Sequence, residues 1–450
     1  DEYSGNLLSK IEKQLKKRLS GLPCRFLFEK GMPRNLQLFL MAAFDVKYED
    51  MFTGGRYHHL SDLSSFPAFQ KELYFKKLKP LTASNITDSG DIFHILEQQD
   101  VLLHLPYQSY NPVLSFFNQA AVDADVTDIY ITLYRLAADS HIVNALISAA
   151  KNGKNVVVFI ELKARFDEAN NIEWSRIMQE AGIKLVYSMP QIKVHSKTAL
   201  VKKKVEGREL SYAILSTGNF NEVTARFYTD HVLMTSDVAV IKELVWLFKF
   251  LEKGHNEIGD IKIKFQELLV SQFNMVDELE KRIGVEIKKA RKGEQAHIRI
   301  KVNNLEEPGM IKLLYKASRA GVKVDLIVRS VCCIVPGLPE LSEHITVRRI
   351  VDRFLEHTRL FIFGSAEDTV VFMGSADLMT RNLYHRVEVC VPVKDASCRK
   401  ELLDYFDIQW SDNIKAVQFL PDQQFAAVIG HNGDKINAQQ SIYQYLQKSS

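Results

Sequence analysis

Cysteine is scarce in this sequence and badly spaced for structural chemistry. The five, Cys24, Cys332, Cys333, Cys390 and Cys398, are odd in number, include an adjacent pair and contain no CxxC. That pattern speaks against a disulfide framework or a zinc site, and for a reducing cytoplasm. Long apolar runs are lacking too. Stretches such as Val156 to Ile160 have the length of a strand, far short of the roughly 20 residues that span a bilayer. No transmembrane segment is expected, so peripheral association is the one membrane contact left open. The opening Asp-Glu-Tyr-Ser-Gly shows no Met, basic region or apolar core, and no signal peptide is expected from it. An excess of one charge is missing as well: 58 basic against 55 acidic residues leave +3. A polyanion would have to be held by clustered cations rather than by the field of the whole protein, and nucleic acid is not an expected partner.

What is present can build more than one core. The 450 residues, 46% hydrophobic and 25% charged, suit a globular enzyme of two or three domains. Asn6 to Leu19 reads as a basic amphipathic helix, with Leu7, Leu8, Ile11, Leu15 and Leu19 on one side. From about residue 82 strands and helices alternate. The pattern predicts strands over Asp128 to Leu136, Val156 to Leu162 and Ile183 to Tyr187, with helices over Ser140 to Lys151 and Ile172 to Ala181. Helices of this length between strands imply crossovers and a parallel or mixed sheet.

The same order recurs in the second half. Gly153, followed by Val156-Val157-Val158-Phe159-Ile160, matches Gly321, followed by Val324-Asp325-Leu326-Ile327-Val328, at an offset of 321 − 153 = 168. His195-Ser196-Lys197 matches His357-Thr358-Arg359, 357 − 195 = 162 apart, and Gly218-Asn219-Phe220-Asn221 matches Gly374-Ser375-Ala376-Asp377, 374 − 218 = 156 apart. Three landmarks in one order, with slowly drifting offsets, mark an internal duplication. The expected domains are a first segment, 1–81, then 82–260 and 261–450, two tandem α/β domains with mixed sheets.

Each half therefore offers His-x-(Lys/Arg), an apolar strand, and Gly-x-x-(Asn/Asp). Placed in an extended strand, His195 and Lys197 would point the same way, so that imidazole and ammonium face one phosphate. The glycine permits close backbone approach, and the Asn or Asp can orient a ring or a substrate oxygen. Asp230, Glu222 and Asp377 are candidates to orient a histidine, and the sequence does not choose among them.

This doubled motif resembles the phospholipase D superfamily, in which two such motifs meet in one cleft. That superfamily carries an Asp five residues after the motif Lys; here Lys202 and Gly364 stand there, which counts against simple diester hydrolysis. Longer strings resemble the histidine-type polyphosphate kinases along essentially the whole chain. They include Leu103-His104-Leu105-Pro106-Tyr107-Gln108-Ser109, Glu161-Leu162-Lys163-Ala164-Arg165-Phe166-Asp167-Glu168, Thr224-Ala225-Arg226-Phe227-Tyr228-Thr229-Asp230 and Arg349-Ile350-Val351-Asp352-Arg353-Phe354-Leu355-Glu356-His357. The resemblance implies the C-terminal catalytic part of such an enzyme, with 82–260 and 261–450 as phospholipase-D-like domains and 1–81 as a short remnant of an upstream, head-like domain. It further implies ATP or ADP and inorganic polyphosphate as substrates, Mg²⁺ as cofactor, and a homo-oligomer. By motif it makes His195 the phosphorylated nucleophile assisted by Lys197, and His357 the second active-site histidine near ATP. It also places Arg135 and Arg165 at the magnesium–phosphate site and Tyr228 and Arg329 on the nucleotide. The alternatives are a phosphodiesterase, or a polyanion-binding piece that is inactive without an upstream region. One departure is Phe273-Asn274 followed by Met275 and Val276, where the family often has an Arg; Lys301, Asn303 and Lys312 are candidate substitutes.

Overall fold

The structure, a computed structural model, describes residues 21–67, 69–83, 86, 90–162, 164, 167–188, 192–253, 263–365, 368–430 and 434–449. The helix expected over Asn6 to Leu19 and the candidate Arg165 lie outside these residues. The chain forms two compact units, 1–77 and 78–450. In the first, strands Phe26–Glu29 and Met51–Gly54 pair in parallel, and helix Arg34–Phe44 runs between them in sequence.

Both copies of the duplicated pattern fall in the second unit, where two mixed sheets are built on one plan. In the first sheet, Val126–Leu133, Asn155–Ile160 and Lys184–Tyr187 run parallel to one another, while Thr198–Val205 and Arg208–Ser216 extend the sheet antiparallel on the other side. In the second, His297–Val302, Lys323–Val328 and Ile345–Ile350 run parallel, and Leu360–Phe363 and Val370–Gly374 extend that sheet in the same way. The central parallel strands Asn155–Ile160 and Lys323–Val328 are mostly apolar because both of their faces are covered.

The observed elements sit close to the expected ones, and the shifts have local causes. The first strand ends at Leu133, so Tyr134 and Arg135 leave the ladder and enter the loop that follows. The helix expected from Ile172 begins at Glu168. Its first turn is polar because Asn170 and Asn171 donate to the carbonyls of Leu136, Tyr134 and Glu161, tying the loops after two strands together. The helix expected from Ser140 begins one residue later, with Ser140 as its cap, its hydroxyl accepting from the Val143 amide.

One hydrophobic core joins the two sheets. Helix Val238–Lys253 contributes Leu244, Leu247 and Phe248, helix Ala396–Trp410 contributes Leu402 and Phe406, and helix Ala438–Ser449 contributes Ile442 and Leu446. They pack with Leu200, Leu215 and Leu233 of the first sheet and Leu360, Ile362 and Met373 of the second. Each such side chain contributes about 1.5–3 kcal/mol by leaving water. Two short parallel ladders stitch the halves above this core: Tyr228–Thr229 pairs with Leu355–Glu356, and Lys193–Val194 pairs with Arg386–Val387. Each ladder leads directly into one of the two histidine motifs.

Candidate functional site

His195 follows its short strand at once, and there the ladder ends. The amides of His195 and Ser196 both donate to the carbonyl of Val387, each at 2.9 Å. Residues 195–197 thus bridge two strands rather than lying in one, and the alternation assumed from the sequence breaks. The imidazole of His195 lines a cavity, whereas the Lys197 ammonium turns inward, donates to the His195 carbonyl and stands 5.3 Å from the centre of the Tyr134 ring. The expected arrangement, with both groups facing one phosphate, is not what the fold builds. His357-Thr358-Arg359 bridges Leu355–Glu356 and Leu360–Phe363 in the same manner.

The histidines are oriented across the duplication. His195 Nδ1 lies 2.9 Å from Glu388 Oε2, and His357 Nδ1 lies 2.8 Å from Asp230 Oδ1. Each carboxylate comes from the opposite half. Both are buried, Glu388 completely. Glu388 Oε1 accepts from Asn382 Nδ2 at 2.6 Å, and Asp230 Oδ1 accepts from the Thr217 hydroxyl at 2.6 Å. A carboxylate only accepts, so each ring carries its hydrogen on Nδ1 and its lone pair on Nε2. The two Nε2 atoms differ. Arg359 Nη1 lies 3.1 Å from Nε2 and 3.3 Å from Nδ1 of His357, over the ring, and donates to the His357 carbonyl at 2.8 Å; Nε2 of His195 has no hydrogen-bond partner among the described residues.

Both rings open onto one cavity of about 480 Å³. Its wall carries six cations, Arg135, Lys193, Arg329, Arg359, Arg381 and Arg386, against one carboxylate, Asp377. Asp377 is itself paired with Arg359, 3.3 Å from Nε. The near-neutral chain has therefore gathered its positive charge where a polyanion would need it. Tyr134 packs edge-on against His195 with ring centres 4.7 Å apart, and Tyr228 sits 5.1 Å from His357. Arg329 Nε donates to Asn303 Oδ1 at 2.7 Å, and Asn303 Nδ2 donates to the His357 carbonyl at 3.1 Å.

Burial sets the protonation states. It lowers His195 to about 3 in spite of the neighbouring carboxylate, so the ring is neutral near pH 7. His357 is lowered by burial and by Arg359. Burial opposes the charge of Glu388, yet His195, Lys197 and Arg386 hold it ionised at about 2. Lys197 falls to about 7 because its ammonium is buried.

Of the residues named from the sequence, His195, His357, Arg135, Tyr228 and Arg329 line this cavity together. Lys197 stands behind His195. Asp230 orients His357, while Glu222 instead accepts from the Ile142 amide at the start of a helix. Lys301 is buried in an ion pair with Glu356 at 2.6 Å, Lys312 is exposed, and Asn303 is part of the wall. Sequence reasoning missed Glu388. The duplication held the signal: 388 − 230 = 158 falls within the range of offsets of the repeat. Among the described residues no group of three or more His, Cys, Asp or Glu side chains could hold a metal ion, and a guanidinium has no lone pair to offer one.

The family profile described as polyphosphate kinase C-terminal domain 1 matches residues 91–257, that of C-terminal domain 2 matches 268–439, and that of the polyphosphate kinase middle domain matches 1–66. A polyphosphate kinase of Vibrio vulnificus is 39% identical over 447 residues, covering 99% of this chain and 63% of the relative. One of Escherichia coli is 37% identical over 449 residues, covering 99% and 64%. The chain thus spans less than two thirds of the length of these relatives. The crystal structure of polyphosphate kinase from Porphyromonas gingivalis superposes with a TM-score of 0.86 at 38% identity, covering 95% of this chain and 65% of that one.

Proposed function

The chain belongs to the polyphosphate kinase family, and we propose that its cavity carries reversible transfer of the ATP γ-phosphoryl group to inorganic polyphosphate through a phosphohistidine at His195. The observation that carries this reading is the state of His195: neutral, with its Nδ1–H bound to Glu388 and its Nε2 lone pair left to a cavity lined with cations. That is what a nucleophile toward a phosphate needs.

In the first step Nε2 forms a bond to the γ-phosphorus, the bond from that phosphorus to the bridging oxygen breaks, and ADP departs as an anion. The Nδ1 proton stays in place, and Glu388 offsets the positive charge the ring acquires, as the carboxylate does in a Ser-His-Asp triad. In the second step a terminal oxygen of polyphosphate attacks the same phosphorus and Nε2 recovers its lone pair. Ionised phosphate oxygens attack and leave, so neither direction needs a general base. The surrounding guanidinium groups spread and offset the charge on the equatorial oxygens, which is most of what phosphoryl transfer asks of a protein.

In this reading Tyr228, Arg329 and His357 contact the nucleotide and Arg135 its phosphates. Lys197 holds the His195 carbonyl. Mg²⁺ does not fit the described side chains as a protein-held ion, and belongs with the phosphate oxygens of the nucleotide. The test is incubation with γ-labelled ATP and Mg²⁺. An acid-labile, base-stable label that chases into polyphosphate is expected. Diester hydrolysis without labelling, or polyanion binding alone, would replace the proposal.

A further inference from the structure

Behind the His357 motif four side chains form one continuous row of polar contacts. Glu401 Oε2 lies 2.9 Å from His104 Nε2, His104 Nδ1 lies 3.0 Å from His231 Nε2, and His231 Nδ1 lies 3.0 Å from Thr358 Oγ1. The members come from strand Val101–Leu105, strand Tyr228–Thr235 and helix Ala396–Trp410, and end on the residue between His357 and Arg359. Both histidines are only 1% exposed, while the Glu401 side chain is 26% exposed and can exchange protons with solvent.

Counting hydrogens along this row gives an unequal sum. The Thr358 hydroxyl lies 3.0 Å from the carbonyl of Thr229, which can only accept, so its one hydrogen is used there. His231 must then donate from Nδ1 to Thr358. Burial, with His104 and Lys301 nearby, pushes His231 well below the usual histidine range, so it is neutral and its Nε2 is bare. His104 must donate from Nδ1 to that nitrogen. With neutral His104 and ionised Glu401, two acceptors would then face each other at 2.9 Å. One further proton between them turns this contact into a charge-assisted hydrogen bond. Without that proton the row satisfies itself only by reversing, with the Thr358 hydroxyl swung from Thr229 to His231.

We propose that Glu401, His104 and His231 are positioning residues, which through a proton held between Glu401 and His104 fix Thr358 and with it the His357–Arg359 pair that faces the substrate. The inference rests on the phosphoryl-transfer reading. The other charged or titratable groups facing the row are Tyr405, whose ring centre is 4.5 Å from that of His231, beyond it the buried Lys301–Glu356 pair, and, around Glu401, Cys398 and Lys400 of its own helix and Tyr445 of helix Ala438–Ser449. Asp230 precedes His231 on its strand and serves His357 instead.

The test is single-turnover labelling by γ-labelled ATP across a range of pH. In Glu401→Gln the amide can donate to the bare His104 nitrogen without a titratable proton. Its rate should stay near that of the wild type at the acid end, and the ratio of variant to wild type should rise with pH. Glu401→Ala and His231→Phe should slow labelling by roughly 10- to 100-fold, the scale of a misplaced reacting group, with KM for ATP little changed. A pH-independent ratio for Glu401→Gln, together with unimpaired labelling in Glu401→Ala, would overturn the inference. Independently of activity, ¹⁵N NMR of the wild type should show neutral His231 protonated on Nδ1; protonation on Nε2 would also overturn it. If the wild type takes no label the phosphoryl-transfer reading fails, while the tautomer still tests the row.

Discussion

Glu388 fixes the tautomer of His195 from 193 positions further along the chain, at 2.9 Å from Nδ1. His357 stands in the mirrored relation to Asp230, 127 positions before it. Each half of the duplication thus provides one ring and the carboxylate that orients the other ring. Neither half contains a complete orienting pair, which gives the duplication a chemical reason to stay fused.

Glu388→Gln should therefore slow labelling of His195 by roughly a hundredfold or more, the scale on which a wrong histidine tautomer acts. Asn382 donates to Glu388 Oε1, so the oxygen of a glutamine would stay with Asn382 and its amide would meet His195 Nδ1. The ring hydrogen would then move to Nε2, where phosphorus must bind. Rapid-quench labelling measures the effect, and circular dichroism shows whether the fold survives. A rate within a few fold of the wild type would remove Glu388 from the mechanism.

The pH dependence follows from burial. Because His195 is lowered to about 3, labelling should show no acid limb at the ordinary histidine value of about 6.5. Stability carries the same signature. Between about 6.5 and about 3 the unfolded chain binds the proton and the native ring does not, so stability falls as pH falls through that window. Glu388, held at about 2, adds to the loss below about 4.5. In denaturant titrations at about pH 7 and about pH 4, His195→Gln should lose less stability than the wild type. Equal losses would mean that His195 titrates as an exposed histidine does.

Gly218 admits Asp230. A Cβ there would collide with the Asp230 carboxylate, whereas one at Gly374 would collide with the backbone of Val389 and Cys390. Gly218→Ala should displace Asp230 from His357, slowing transfer of the label more than it lowers the melting temperature. Gly374→Ala should lower stability by about 1–3 kcal/mol, the usual cost of overpacking. Thermal melts beside labelling rates separate the two, and equal behaviour would show that Gly218 serves packing alone.

The sequence revealed what local chemistry sets. The parallel strands of the first sheet were visible as apolar, β-branched runs, Lys323–Val328 through its match to one of them, and the two histidine motifs because they recur in the same order; His297–Val302 and Ile345–Ile350 were not visible, because charged residues interrupt them. Lys197 was misdirected because alternation holds only inside a strand, and the ladder stops at His195. Glu222 could not be told from Asp230 by residue type, since capping a helix and orienting a ring both ask for a buried acceptor. Glu388 was hidden because its partner comes from the other half, and the row from Glu401 to Thr358 because its members meet only in the folded core.

The most direct measurement is the position of the phosphoryl group on the phosphorylated protein, read by ³¹P–¹⁵N correlation NMR on histidine-labelled material. The account predicts one phosphohistidine, at His195, bonded through Nε2 while Nδ1 keeps its hydrogen against Glu388. Phosphate on His357, or on Nδ1 of His195, would contradict it.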